Sequence, residues 1–131
     1  MEEGLTEKLK KQKKEIRIIL MAFEMQRVAS NIYYGPVSNR KPFKLKIGIH
    51  RGSVIAGVIG IHKPQFSLIG DTVNTTSRIC ANCSEGEITI SEPVFAEVSL
   101  INWYFVKYFI TPKGLDKMTV WKIYEFRPDV A

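Results

Sequence analysis

Phe66-Ser67-Leu68-Ile69-Gly70-Asp71-Thr72-Val73-Asn74-Thr75-Thr76-Ser77-Arg78 runs from a short apolar segment into a helix start. Gly70 interrupts the apolar run, and Asp71 is expected to cap the first free amides of a helix reaching about Ala81. At about 100° per residue, with Asn74 as zero, Val73, Thr76, Ile79, Cys80 and Cys83 fall in one arc between about 140° and 260°. That arc is the expected core face, and it accounts for both cysteines as packing residues. Asn74 and Arg78 fall together at about 0° and 40°, with small Ala81 nearby at about 340°. An amide and a guanidinium side by side suit a sugar and a phosphate. Periodicity alone favours the plainer reading, two ordinary solvent-facing residues.

The flanking sequence reads as alternating strands and helices. Leu5 to about Ile32 is expected to be a helix, with Ile16, Ile19, Leu20 and Phe23 at helical spacing. Gly35, Pro36, Ser38, Asn39 and Pro42 mark a loop. Phe43 to His50 alternates as a strand, Arg51-Gly52 reads as a tight turn, and Ser53 to Gly60 reads as the return strand of a hairpin. Phe66 to Ile69 forms a third short strand, followed by the helix above. Glu87 to Ile90 is a strand, and Ser91 is expected to cap a short helix over Glu92 to Val98. Trp103 to Ile110 is an aromatic strand without clean alternation, expected to be covered on both faces. Val120 to Phe126 is the last strand. The whole reads as α+β, a sheet with helices packed on one face.

Composition narrows the functional classes. With 131 residues the chain fits one domain, and its 45% hydrophobic and 24% charged fractions suit a globular protein. No apolar run is long enough to span a bilayer, so no membrane contact by this segment is expected. A larger membrane-bound parent, with this domain on the cytoplasmic side, stays compatible. The net charge of +6 favours polyanionic partners. Five of the seven residues from Lys8 to Lys14 are lysine, which reads as one solvated helix face. Two cysteines spaced C-x-x-C, with only His50 and His62 to assist, make a poor zinc or disulfide framework. Gly52, Gly57 and Gly60 lack the G-K-[ST] of a phosphate loop and read as hairpin glycines.

Gly70-Asp71-Thr72-Val73-Asn74 followed by Ser77-Arg78 resembles the G-[DN]-T-V-N-x-x-S-R signature of class III adenylyl and guanylyl cyclases. Lys46-Ile47-Gly48-Ile49-His50-Arg51-Gly52 is similar to that family's R-I-G-I-H-T-G, and Ala56-Gly57-Val58-Ile59-Gly60 to its A-G-V-V-G. Ile88-Thr89-Ile90-Ser91 and Lys113-Gly114 resemble later family segments. Several motifs in one order make the likeness specific. It implies a single partial cyclase catalytic domain over 1–131, with helix and loop over 1–42 and the matching region over 43–126. It also implies an N-terminally truncated, ferredoxin-like cyclase fold.

The resemblance further implies a site between two homologous domains, where the ribose 3′-OH of a nucleoside triphosphate attacks the α-phosphorus and pyrophosphate leaves. In it Asn74 matches the residue orienting the ribose, and Arg78 the one stabilising charge on the α-phosphate. Lys113 matches, loosely, a lysine binding the terminal phosphates. Ser67 stands where guanylyl cyclases carry Cys and adenylyl cyclases Asp, so it departs from both. Its uncharged hydroxyl and Asp71 lean towards GTP and cyclic GMP. The family's metal-binding aspartates precede the region matched here. Mg2+ or Mn2+ is therefore expected to be held by ligands outside this chain, no metal ligand is assigned within it, and the chain alone is expected to be inactive. Three other readings stay open: an adenylyl cyclase half, an inactive cyclase-like dimerisation or regulatory module, and a nucleic-acid-binding sheet domain. The last rests on the basic charge and Trp103-Tyr104-Phe105, which read more simply as core, so no nucleic-acid partner is expected.

Overall fold

A computed structural model describes residues 13–53, 55–59, 65–114 and 116–127, with the backbone path alone at 55–59 and 65–69. The first helix, α1, runs over Lys14–Ala29; the expected stretch from Leu5 to Gln12 lies outside the described residues. The expected loop is a small hairpin, with β1 (Tyr33–Tyr34) and β2 (Lys41–Pro42) paired around a 3-10 turn at Val37–Asn39. β3 (Ile47–Ile49), β4 (Ile55–Ile59), β5 (Gln65–Ile69) and α2 (Asp71–Ala81) follow. Then come β6 (Ile88–Ser91), α3 (Glu92–Val98), β7 (Tyr104–Ile110) and β8 (Met118–Tyr124).

Four strands form the main sheet in the order β3-β6-β8-β7. β3 and β6 are parallel, with Gly48 opposite Thr89, and the other two pairings are antiparallel. Alternation along β6 and β8 then sorts their side chains onto two faces. Ile88, Ile90 and Ile123 pack with Ile19 and Ala22 of α1 and with Val94 and Val98 of α3. Phe95 stacks on Trp121 at 3.6 Å and meets Phe105 edge-on. On the opposite face, Val120 and Ile110 bury Ile79 of α2. The α+β class stands, and α1 and α3 share one face as expected. α2 lies across the sheet from them, because its apolar arc meets the Gly48 and Val120 side.

One expected pairing is corrected. β4 does not return along β3; it pairs antiparallel with β5, Gly57 opposite Ser67. The segment Arg51–Ser53 is no tight turn. Thr72 Oγ1 donates to the Ser53 carbonyl at 2.6 Å, and Arg51 Nη1 lies 3.2 Å from Glu97 and 3.7 Å from Glu15. These ties lead the chain away from β3 before β4 begins.

Two expected caps are also corrected. Gly70, at φ +131°, holds the N-cap position of α2, and Asp71 is the first helical residue with no capping hydrogen bond. Its charge still opposes the positive end of the helix dipole. Ser91 sits at the N-cap of α3, but its Oγ lies 2.8 Å from His50 Nδ1 instead of on a helix amide. Burial holds the His50 pKa below the ordinary imidazole value. β7 is covered less than expected: Lys107 and Phe109 are exposed, and Lys117 Nζ sits 4.2 Å above the Phe109 ring. Among the described residues no helix is long and apolar enough to cross a membrane.

Gly48 is where the sheet and α2 come closest. A Cβ there would stand 2.9 Å from the Cys80 backbone nitrogen and 3.1 Å from its Cα. Backbone cannot rotate away as a side chain can, so overpacking of this kind costs about 1–3 kcal/mol. Gly48→Ala should therefore lower the urea unfolding free energy by about that amount. An unchanged midpoint and slope would show that α2 is not pressed onto β3.

Candidate functional site

The surface of interest is the outer side of α2. Ile79 and Cys83 are buried, while Val73, Thr76 and Cys80 are half-buried. Asn74 is exposed and Arg78 half-buried on the far side, as the helical period requires. Both cysteines are free thiols lying against backbone carbonyls, Cys80 Sγ 3.5 Å from the Lys46 oxygen and Cys83 Sγ 3.2 Å from that of Glu87. Thr89 Oγ1 donates to Cys83 Sγ and also meets Tyr108 Oη at 2.9 Å. Their packing role therefore holds.

Three contacts fix this helix. Its inner face rests on Gly48, and Ile79 is locked between Ile110 and Val120. At its start Thr72 is tied to the Ser53 carbonyl, and a Cβ at Gly52 would collide with Thr72 Oγ1. Gly52 is thus a close-approach glycine, not a hairpin glycine. Sequence periodicity carried no signal for that role, because the close contact is with a residue twenty positions on. Among the described residues no carboxylate pairs with the Arg78 guanidinium and no side chain bonds the Asn74 amide. The Asn74 backbone N–H closes the first helical bond to Gly70 at 3.3 Å. Two groups able to bind sugar and phosphate are thus held on a rigid element, with no partner at their functional ends among the described residues.

The other two candidates are placed by topology. Ser67 lies mid-strand in β5, which leads through Gly70 directly into α2. Lys113 is exposed in the connection between β7 and β8, next to Gly114 at φ +80°. Ile110 and Met118, which bracket that connection, both belong to the cluster around Ile79, the residue after Arg78. No hydrogen bond or ion pair joins Lys113 to Asn74 or Arg78 among the described residues. An open cleft beside the start of α2 is lined by His50, Arg51, Gly52, Thr72, Val73, Thr76 and Ser77. It contains none of the four candidates. The described residues contain no group of three or more His, Cys, Asp or Glu side chains able to hold a metal ion. They do not fit a divalent-metal centre by themselves.

Comparison with known proteins identifies the family and the fold. The chain is 46% identical over 70 residues to a guanylate cyclase of Toxoplasma gondii, covering 53% of this chain and 2% of that protein. It is 41% identical over 93 residues to guanylate cyclase beta of Plasmodium falciparum, covering 69% of this chain and 3% of that protein. The chain therefore spans a few per cent of the length of these relatives. Its fold matches the guanylate cyclase domain of RhGC from Catenaria anguillulae, solved in complex with GTP, with a TM-score of 0.69 and 24% identity. That match covers 86% of this chain and 60% of the solved one. Residues 3–122 match the family model described as the adenylate and guanylate cyclase catalytic domain, and the chain belongs to that family.

Proposed function

We propose that this chain is part of a nucleotidyl cyclase that converts GTP to cyclic GMP and pyrophosphate, contributing one wall of a site completed by a homologous cyclase domain. The observation that carries the reading is the fixed helix α2, which presents Asn74 and the Arg78 guanidinium, without an ion-pair partner among the described residues, away from the sheet. In the reaction the 3′-oxygen forms a bond to the α-phosphorus, the 3′-OH gives up its proton, and the bond to the bridging oxygen of pyrophosphate breaks. The Asn74 amide orients the ribose. The Arg78 guanidinium faces the α-phosphate oxygens, where negative charge grows as the 3′-oxygen attacks. Lys113 is assigned to the terminal phosphates, which leave as pyrophosphate. Phosphoryl chemistry of this type depends mainly on such positioning and charge stabilisation.

The choice of GTP rests on Ser67 and Asp71 and is supported by the relatives, which are named guanylate cyclases. The Ser67 hydroxyl can bond the guanine O6 region without bringing a charge. The divalent ions that this family's chemistry calls on would neutralise phosphate charge, and their ligands are assigned to a segment other than the one described. The chain by itself is accordingly assigned no turnover. The competing reading is a cyclase-like regulatory module, favoured by the lack of a metal-holding cluster among the described residues.

Three measurements test this. The chain alone, incubated with GTP or ATP and Mn2+, should form no cyclic nucleotide; sustained turnover by the pure chain would refute the composite site. In a complete domain with its partner restored, Arg78→Ala should lower kcat by about 10²–10³ with little change in KM, as for loss of one charge-stabilising donor. A rise in KM at constant kcat would remove Arg78 from the transition state. In the same restored domain, Ser67→Asp should shift the ratio of kcat/KM values from GTP towards ATP. An unchanged ratio would withdraw the guanylyl assignment.

A further inference from the structure

The hairpin of β1 and β2 gives no residue to either core cluster. Every residue from Asn31 to Lys41 is exposed. Ordering such a segment costs conformational entropy that no core burial of its own offsets. It is nevertheless held in place. The rings of Tyr34 and Phe43 meet at 4.9 Å, and the Phe43 N–H donates to the Ile32 carbonyl at 2.9 Å. Just beyond, the Gln26 side chain takes both backbone groups of Leu45. It donates to the Leu45 carbonyl at 2.7 Å and accepts from the Leu45 N–H at 3.1 Å.

What the hairpin displays is graded along its length. At the tip, after Gly35 and Pro36, Val37 is 84% exposed. Tyr33, 56% exposed, and Tyr34 stand on the first strand. Arg40, Lys41, Lys44 and Lys46 follow on the second strand and the run into β3, all exposed. No Asp or Glu occurs in the sequence between Glu24 and Asp71. Glu85 is the one carboxylate lining the hollow beside Lys41 and Lys44. Among the described residues none of these four cations is in an ion pair.

We propose that this hairpin docks the chain on an anionic lipid surface, with Val37 and the two tyrosines in the headgroup layer and Arg40, Lys41, Lys44 and Lys46 over the lipid phosphates. Apolar tip, aromatic shoulder and cationic base follow the polarity of a bilayer read from its interior outward. A single-stranded nucleic acid would use the cations and open ring faces. It gives the exposed valine no role, and the Tyr34 ring already lies against Phe43. Such contact lies in the interface and needs no spanning helix. It thus departs from the expectation of no membrane contact, which rested on the lack of a run long enough to cross. The hairpin stands at the start of β3, and the loop that receives Thr72 stands at its other end. None of the four candidate site residues takes part.

The test is flotation of the full chain with phosphatidylcholine vesicles, either pure or carrying about 30 mol% phosphatidylserine. The chain should float with the anionic vesicles only, and added salt should release it. Each cation at such a surface contributes roughly a fivefold factor, so Lys41→Gln with Lys44→Gln should weaken binding about 25-fold. The matching pair in the lysine run, Lys10→Gln with Lys11→Gln, should weaken it by less than about threefold. Val37→Trp places a fluorophore at the tip. Its emission should shift to the blue on anionic vesicles, beyond any shift of the parent chain. The altered side chains of the hairpin are exposed, so its variants should melt within about 2 °C of the parent. If the Lys41 and Lys44 pair melts lower, Arg40→Gln with Lys46→Gln replaces it, with the same loss expected. Failure to float, equal binding to neutral vesicles, equal losses from the hairpin and lysine-run pairs, or an unmoved tip emission would each overturn the proposal. Where flotation fails, a single-stranded oligonucleotide bound through Lys41 and Lys44 would assign the cations to nucleic acid instead. No readout involves nucleotide turnover, so failure here and failure of the cyclase reading are told apart.

Discussion

The structure turns on the absence of a side chain at Gly48. With the Cys80 amide 2.9 Å from where a Cβ would sit, β3 and α2 meet backbone to side-chain-free backbone. That closeness carries Ile79 into the pocket between Ile110 and Val120 and sets the azimuth of the helix. Once the azimuth is set, the 100° step between residues decides where every other side chain of α2 points. Asn74 and Arg78 then face outward because the residues opposite them are committed inward. The site geometry is a consequence of packing on the far side of the same helix.

The helix itself was legible from sequence in its extent and buried face, though not in its cap, because an amphipathic period of eleven residues between Gly70 and Asn82 leaves little freedom. The aromatic residues of β7 were legible as core where they meet partners: Phe105 against Phe95, Tyr108 against Thr89. Pairing was not legible. Ile47 and Ile49 alternate like a strand beside any neighbour, and nothing in their spacing distinguishes a near antiparallel partner at Ser53–Gly60 from a distant parallel one at Ile88–Ser91. The choice is made by Thr72 and Arg51, whose bonds span 19 or more residues. The face taken by each helix was hidden for the same reason, since it depends on which strands neighbour one another. Of the candidate site, Asn74 and Arg78 could be placed by geometry, whereas Ser67 and Lys113 entered through resemblance alone.

The loop after β3 shows how a local departure can be absorbed. Arg51 stands where the family pattern carries Thr, and its guanidinium bridges Glu15 of α1 and Glu97 of α3. Lys13 meets the same Glu97 at 3.0 Å. Hydrogen bonding from Lys13, with Arg51 nearby, holds the Glu97 carboxyl below its ordinary pKa. Each of these pairs has a solvent-exposed cation and is worth little alone. Together they join both helices of one layer to the loop that also receives Thr72 from the other layer.

The parallel pairing of β3 with β6 has a kinetic side. Ile47 meets Ile88 only after the chain has made the β4–β5 hairpin and the whole of α2. β7 and β8, by contrast, face each other across a short connection. Closing a long loop must be paid in entropy before its contacts return anything. The topology therefore orders assembly, with the β7–β8 hairpin formed early and β3 secured last. The strand that carries Gly48 is the late arrival, and the rigid presentation of Asn74 and Arg78 waits upon it.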